Sequence, residues 1–217
     1  MIDKYLVSNC LFIIDEFNYR FKGKDNTINK ADLKILADKE FNESDIAIRL
    51  GYPFKHMAHF NFQGKACDIV VKSRDFIIEV KYLRNFKAKT KGQSFSNKLI
   101  WQDAFQKNYD WLCDEIKNGK KGHRAFVLGW FNAVERFSEI MQLGTGAGQF
   151  PDINNERLRL FPFLNHKANS SKTKDIFYMY KKAYEPLPIQ IIGYDKDVVN
   201  CMFLGNQDDT FHFAMYW

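Results

Sequence analysis

The stretch Gly64-Lys-Ala-Cys-Asp-Ile-Val-Val-Lys-Ser-Arg-Asp-Phe-Ile-Ile-Glu-Val-Lys-Tyr-Leu-Arg84 decides how this chain folds. Two short apolar, β-branched runs flank a polar break, Lys72 to Asp75, and that pattern predicts a β-hairpin. A turn centred between Ser73 and Arg74 pairs Val71 with Phe76 and Ile69 with Ile78. Continuing the register sets Asp68 opposite Glu79. Carboxylates facing each other across a ladder repel, and strand packing alone gives no reason for the arrangement. A cation between them reverses the sign of the interaction. Side chains alternate along a strand, so Lys81 shares a face with Glu79. Two acids and one amine therefore converge, as expected of a metal site with a lysine beside it.

Working outward, Asp3 to Arg20 carries Tyr5, Leu6, Phe12, Ile13 and Phe17 at helical intervals. A second helix is expected after Asn29, with Leu33, Leu36 and Ala37 as its stripe. Asn42 with Asp45 three residues on is a helix-start signal, and Gly51-Tyr-Pro53 a stop. Phe54 to Phe62 alternates like a strand, with His56 on its core side and His59 opposite. After Lys81 comes a basic loop from Lys87 to Ser94. Asn97 to Lys117 has the broadest apolar stripe, from Ile100 and Trp101 through Phe105, Tyr109 and Leu112 to Ile116. Arg124 to Phe131 reads as a buried strand. Ala133 to Leu143 suggests a helix, and Gly144 to Gly148 a loop without P-loop context. A three-stranded meander is expected over Pro186 to Tyr194, Val198 to Leu204 and Thr210 to Tyr216, its first turn at Asp195-Lys196.

The Asp68…Glu79-Val80-Lys81 pattern resembles the signature of the PD-(D/E)xK nuclease superfamily, although Cys67 stands where a proline often precedes the first acid. The element order helix, strand, strand, strand, helix, strand over residues 29–132 is similar to that family's core. The resemblance implies an α/β, restriction-endonuclease-like fold (α-β-β-β-α-β, a mixed sheet flanked by helices). To it are added an N-terminal helical extension (1–28) and a C-terminal α+β appendage with the meander (133–217), all within one domain. It further implies a metal-dependent nuclease, a hydrolase acting on phosphodiester bonds, with DNA as the expected substrate and endonucleolytic cutting as the expected mode.

Magnesium takes oxygen ligands and binds through one or two carboxylates plus substrate phosphate. Asp68 and Glu79 supply that pair, the Val80 carbonyl a third oxygen, and manganese is the expected substitute. Lys81 would orient water and neutralise charge developing on the phosphate. In the family a Glu from the preceding helix often completes the site; Glu43 is the first candidate and Glu40 the second. Gln102 is similar to a helical Gln that some subfamilies place near the metal. Lys87, Lys89, Lys91 and Lys98 are candidates for phosphate contact. Two other readings stand beside this one. Residues 41–60 resemble the start of a helix-turn-helix that would read DNA. A nuclease scaffold without activity could instead serve as a binding subunit.

Composition sets the outer bounds. The 217 residues are 46% hydrophobic and 16% aromatic, enough for a sizeable core. A net charge of +6 suits a polyanionic partner. No apolar run approaches the roughly 18 residues of a membrane span. Cys10, Cys67, Cys113 and Cys201 lack metal-type spacing, and no secretion signal precedes the first helix. A cytoplasmic setting with free thiols is therefore expected. Duplex cutting takes two sites, so a homodimer or partner subunit would supply the second, with the aromatic meander as a candidate interface.

Overall fold

A computed structural model describes residues 1–23, 27–60, 68–83, 101–133, 137–146 and 148–217. Three helices come first: α1 (Ile2–Phe21), α2 (Lys30–Lys39) and α3 (Glu43–Gly51). Strands β1 (Ala58–Phe60), β2 (Ile69–Val71) and β3 (Phe76–Tyr82) follow, then a π-helical turn (Gln102–Gln106) running into α4 (Lys107–Lys117), then β4 (Arg124–Phe131). The expected order is present. The C-terminal part holds short helices α5 (Phe137–Ile140) and α6 (Asn155–Leu158) and the small pairs β5 (Gly144–Thr145) with β6 (Asp152–Ile153) and β7 (Leu164–His166) with β8 (Ile176–Tyr178). The strands β9 (Leu187–Ile191), β10 (Tyr194–Leu204) and β11 (Phe211–Tyr216) complete the chain.

Seven strands form one sheet in the order β1-β2-β3-β4-β11-β10-β9. The β3–β4 pair is parallel and every other pair in it is antiparallel. The fold is thus α/β with a mixed sheet flanked by helices. Each face carries its own core. Ile78, Val80, Val127 and Phe213 pack with α1, α2 and α3 on one side. Phe126, Leu128, Trp130 and Tyr216 pack with α4 and the segment 137–183 on the other. All eight residues of β4 are buried, as a strand covered on both faces requires. Gly129 is the one gap in that run: a Cβ there would meet the Phe211 ring at 2.8 Å, so glycine lets aromatic rings lie across the strand.

The hairpin register is the expected one, with Val71 opposite Phe76 and Ile69 opposite Ile78. Its turn is a 3-10 turn closed by Asp75 in the left-handed region (φ 53°). That conformation is tolerated by Asp, and here Arg124 holds the Asp75 carbonyl at 2.6 Å.

Several expectations need correction. The strand expected from Phe54 to Phe62 is only Ala58–Phe60 among the described residues. Tyr52–Phe54 is a 3-10 turn containing Pro53, whose fixed φ suits a turn. Phe54 drops from it onto Tyr5 and Phe76, with ring centroids 5.7 and 6.5 Å away. His56 is therefore exposed in the turn and not on the core side. No helix follows α3 before β1, so the recognition helix of a helix-turn-helix is missing from 52–60. The helix expected over 133–143 is the single turn Phe137–Ile140 among the described residues. The meander's first turn falls at Ile192-Gly193, where Gly193 supplies the positive φ of 71°. The meander itself continues the central sheet: β11 pairs with β4 along its whole length, so its aromatic residues are buried inside. Cys10, Cys113 and Cys201 are buried free thiols, and Cys67 lies outside the described residues. No helix among the described residues is long and apolar enough to cross a membrane.

Candidate active site at the open edge of β3

The site gathers at the far end of β3. Among the described residues, β2 pairs with β3 from Ile69 opposite Ile78 to Val71 opposite Phe76, and β3 runs on to Tyr82. On its other side β3 stays paired with β4 through Tyr82, and the Leu83 N–H donates to the Gly129 carbonyl at 2.9 Å. The N–H groups of Val80 and Tyr82 therefore point away from β4, and buried donors need partners. Carboxylates provide them. Val80 N–H donates to Asp68 Oδ2 at 2.7 Å, and Tyr82 N–H donates to Glu43 Oε2 at 3.2 Å.

Local sequence explains how Glu43 gets there. Asn42 and Asp45 form a reciprocal capping box, Asp45 N–H to Asn42 Oδ1 at 3.1 Å and Asn42 N–H to Asp45 Oδ2 at 2.9 Å. That fixes the first residue of α3, Glu43, where the helix dipole favours a negative charge. The buried Asn9 of α1 clamps the other end, donating to the Leu50 carbonyl at 2.8 Å. Ile46, Ala47 and Leu50 face the core, leaving Glu43 at the strand edge.

Lys81 sits among these acids. Its Nζ donates to Glu43 Oε1 at 2.9 Å and to the Val80 carbonyl at 3.1 Å, and pairs with Glu79 Oε1 at 3.0 Å. Burial alone would lower the Lys81 pKa, but Glu43 and Glu79 outweigh it and hold the ammonium above its ordinary value. For Asp68, burial raises the carboxyl, opposed by the Val80 N–H and Lys81 and reinforced by Glu43. Glu79 is likewise raised, first by burial, with Lys81 opposing and Asp68 adding to the rise. Each of these two acids thus carries a charge that its surroundings leave undercompensated.

The chemistry of this donor set fits one magnesium or manganese ion held by two carboxylates. Among the described residues Asp68 Oδ1 and Glu79 Oε2 have no protein partner, whereas both oxygens of Glu43 and the Val80 carbonyl are engaged. Three or more acidic, imidazole or thiol groups do not form a ready cage among the described residues. Two carboxylates, waters and a substrate phosphate are the usual magnesium arrangement. Glu43 and the Val80 carbonyl, expected from sequence as further ligands, accept from Lys81 Nζ in this structure.

The other candidates fall outside this cluster. Glu40 ends α2, exposed, and its side chain makes no hydrogen bond or ion pair with Glu79, Lys81 or Asp68. Gln102 is exposed at the start of the π-helical turn and makes none either. Lys87, Lys89, Lys91 and Lys98 lie outside the described residues. Sequence reading missed the double role of Glu43, capping a strand edge and gripping Lys81. The capping box beside it was the available signal. Comparison of the chain with models of known protein families, with curated proteins and with solved structures finds no match.

Proposed function

We propose that the chain is a magnesium-dependent nuclease on a restriction-endonuclease-like core, hydrolysing phosphodiester bonds of nucleic acid, with DNA the first substrate to test. The observation that carries this reading is the convergence of Asp68, Glu79, Glu43 and Lys81 on one strand edge. Burial holds the Asp68 and Glu79 carboxyls above their ordinary values beside this lysine, and acids so perturbed and gathered in one place support a functional site.

Asp68 and Glu79 would hold the ion. When bound, the ion polarises the scissile phosphate and lowers the pKa of attacking water. Lys81 has three donors, all in use on Glu43, Glu79 and the Val80 carbonyl. An arriving phosphate oxygen takes over the donor now on Glu79, while Glu43 and Val80 keep the ammonium aimed. Lys81 then neutralises charge that builds on the phosphoryl oxygens as water attacks and the bond to the leaving oxygen breaks. Its fixed position means that little reorganisation is needed at that moment. Asp68 keeps the β3 edge in register by holding the Val80 N–H.

The deciding experiment is incubation with supercoiled, linear, single-stranded and branched DNA and with RNA, in magnesium, manganese or chelator. Metal-dependent cutting of at least one substrate is expected. Folded protein that cuts none of them removes the enzyme reading.

A further inference from the structure

A second polar cavity lies away from the acid cluster, at the carboxyl end of β4. It is a half-open cleft of about 700 Å³ between Asn132, which directly follows β4, and the β7–β8 pair. That is a common size for a small-ligand site. Phe137, Phe150, Phe177, Tyr178 and Tyr180 form much of its wall. Phe177 stands out among these rings because it is 45% exposed, although its neighbours in β8 turn inward.

The rim carries charge. Lys30 and Lys174 both line the cleft, and among the described residues neither is in an ion pair. Among the described residues Glu139 is the acid on the lining, so cations outnumber anions there two to one. Amide groups are present as well: Asn132 donates to the Gln207 and Asp209 carbonyls at 2.9 Å, fixing one side, and the exposed Gln207 lies beside it. On the floor, Thr173 is 2% exposed and its hydroxyl has no partner. A buried hydroxyl is ordinarily satisfied, so this one is a polar group with bonding capacity in reserve.

Each feature narrows the ligand. An apolar molecule leaves the lysines without a role, and a simple polyanion leaves the rings without one. A ring system with polar edges and an attached phosphate uses both. Placement points the same way, because open α/β sheets bind ligands beyond the carboxyl ends of their strands. Lys81 lies opposite Leu128 in the parallel β3–β4 ladder, and Asn132 is four residues further on, about 13 Å along the strand direction. One bound strand can reach both places.

We propose that this cleft is a nucleotide-binding site, in which a base stacks on Phe177 and Tyr180 and its phosphate is held by Lys174 and Lys30. The nucleotide is either free or an unpaired residue of the strand bound at the acid cluster; only the second form rests on the nuclease reading.

The test measures binding of adenosine 5′-monophosphate and of a short single-stranded oligonucleotide in chelator, so that nothing is cut. Proteins compared are wild type, Phe177→Ala, Lys174→Ala and Asp68→Asn. Phe177 and Lys174 are exposed, so their variants keep the fold, which a melting curve checks. Phe177→Ala is expected to weaken binding about tenfold, within the range for loss of one base stack. Lys174→Ala should lower the salt dependence of oligonucleotide binding by about one counterion. Weakened monophosphate binding identifies a free nucleotide; weakened oligonucleotide binding alone identifies an unpaired base of the strand. If wild type binds neither probe, or Phe177→Ala binds both as wild type does, the cleft proposal is overturned. In a parallel assay with magnesium, wild-type cleavage that is lost in Asp68→Asn, together with unaltered binding in Phe177→Ala, would sink the cleft and leave the nuclease standing. Phe177-dependent binding in a protein that cuts nothing would do the reverse.

Discussion

The two halves of the central sheet satisfy their backbones in opposite ways. Around β11 backbone meets backbone: β4 pairs with it from Phe211 to Tyr216, β10 from Phe213 to Tyr216, and all six residues are buried. At β3, beyond Ile78, the N–H groups of Val80 and Tyr82 donate to carboxylates of Asp68 and Glu43 instead of strand carbonyls. The closed half spends its aromatic residues on packing. The open half spends charged side chains on backbone donors, and so gathers reactive groups at one place. An interrupted sheet edge thus positions chemistry that a continuous one would exclude.

The sharpest contrast is in stability. Phe203 is 1% exposed and stacks on Phe163 and Tyr178, with centroids at 4.8 and 5.6 Å. Phe203→Ala should destabilise the protein by about 3–5 kcal/mol, as truncation of a buried ring does. Urea denaturation measures this. A loss under about 1 kcal/mol would mean that the aromatic half repacks freely, and the contrast between rigid and reactive halves would fail.

In the open half the effect should fall on activity. Lys81→Met, Asp68→Asn and Glu79→Gln should each lower cleavage by about 10²–10³-fold, the usual cost of losing a group that stabilises transition-state charge. Lys81→Met should keep its magnesium-induced rise in melting temperature, because the lysine does not ligate the ion. Glu43→Gln should act through Lys81, since Glu43 anchors the ammonium at 2.9 Å. Its activity should fall less than that of Lys81→Met, and Glu43→Asp should recover little because the shorter side chain loses its reach. Equal activity in wild type and Lys81→Met would break the proposed division of labour.

Much of this was legible in the sequence. The hairpin register came from the alternation of Ile69, Val71, Phe76 and Ile78, and the start of α3 from Asn42 and Asp45, because both are local rules. The stripe from Trp101 to Ile116 is buried in α4 and the turn before it as expected. What local rules could not supply was partnership between distant segments. Nothing in Thr210 to Tyr216 says that this strand sits beside Arg124 to Phe131; that depends on rings of β11 covering Gly129. The meander turns at Ile192-Gly193 and not at Asp195-Lys196 because Gly193 takes the positive φ that a two-residue turn requires. The site was legible as a set of residue types. The engagement of both Glu43 oxygens was not, because it depends on α3 meeting a strand 38 residues further along the chain.

The two halves should also differ in their response to acid. His212 in β11 is fully buried, its Nε2 on the Asn206 carbonyl at 2.9 Å and its Nδ1 without a partner. Burial lowers its pKa from 6.5 to about 4, with Lys30 also opposing the charge and Asn206 and Asp209 favouring it. A base whose folded pKa is depressed costs nothing above its unfolded value and penalises folding as pH falls below it. Stability should therefore drop by roughly 3 kcal/mol between pH 6.5 and 4 from this residue alone. His212→Gln, which cannot ionise, should flatten the profile across that window, whatever packing it loses at neutral pH. Denaturant melts at several pH values decide it. A profile as steep in the variant as in wild type would assign acid sensitivity to other groups.

The smallest effect is the one that probes the open edge most directly. Asp68 and Glu79 have folded pKa values raised above their unfolded ones. A raised carboxyl carries no penalty below its unfolded pKa, where both states are protonated. The penalty builds as pH climbs from the unfolded value to the folded one and is constant above it, so at neutral pH without metal the acid pair opposes folding. Asp68→Asn keeps an oxygen for the Val80 N–H and removes one charge. It should match or slightly exceed wild-type melting temperature in chelator at pH 7, and that advantage should shrink as pH falls toward 4. Magnesium bound only to the folded state stabilises it by mass action, so millimolar magnesium should raise the wild-type melting temperature and leave Asp68→Asn nearly unmoved. The acid response at this edge thus runs opposite to that of His212: lowering the pH relieves one half of the sheet while it strains the other. A magnesium shift that survives Asp68→Asn intact would place the ion elsewhere, and the open edge would then be only a capped strand end.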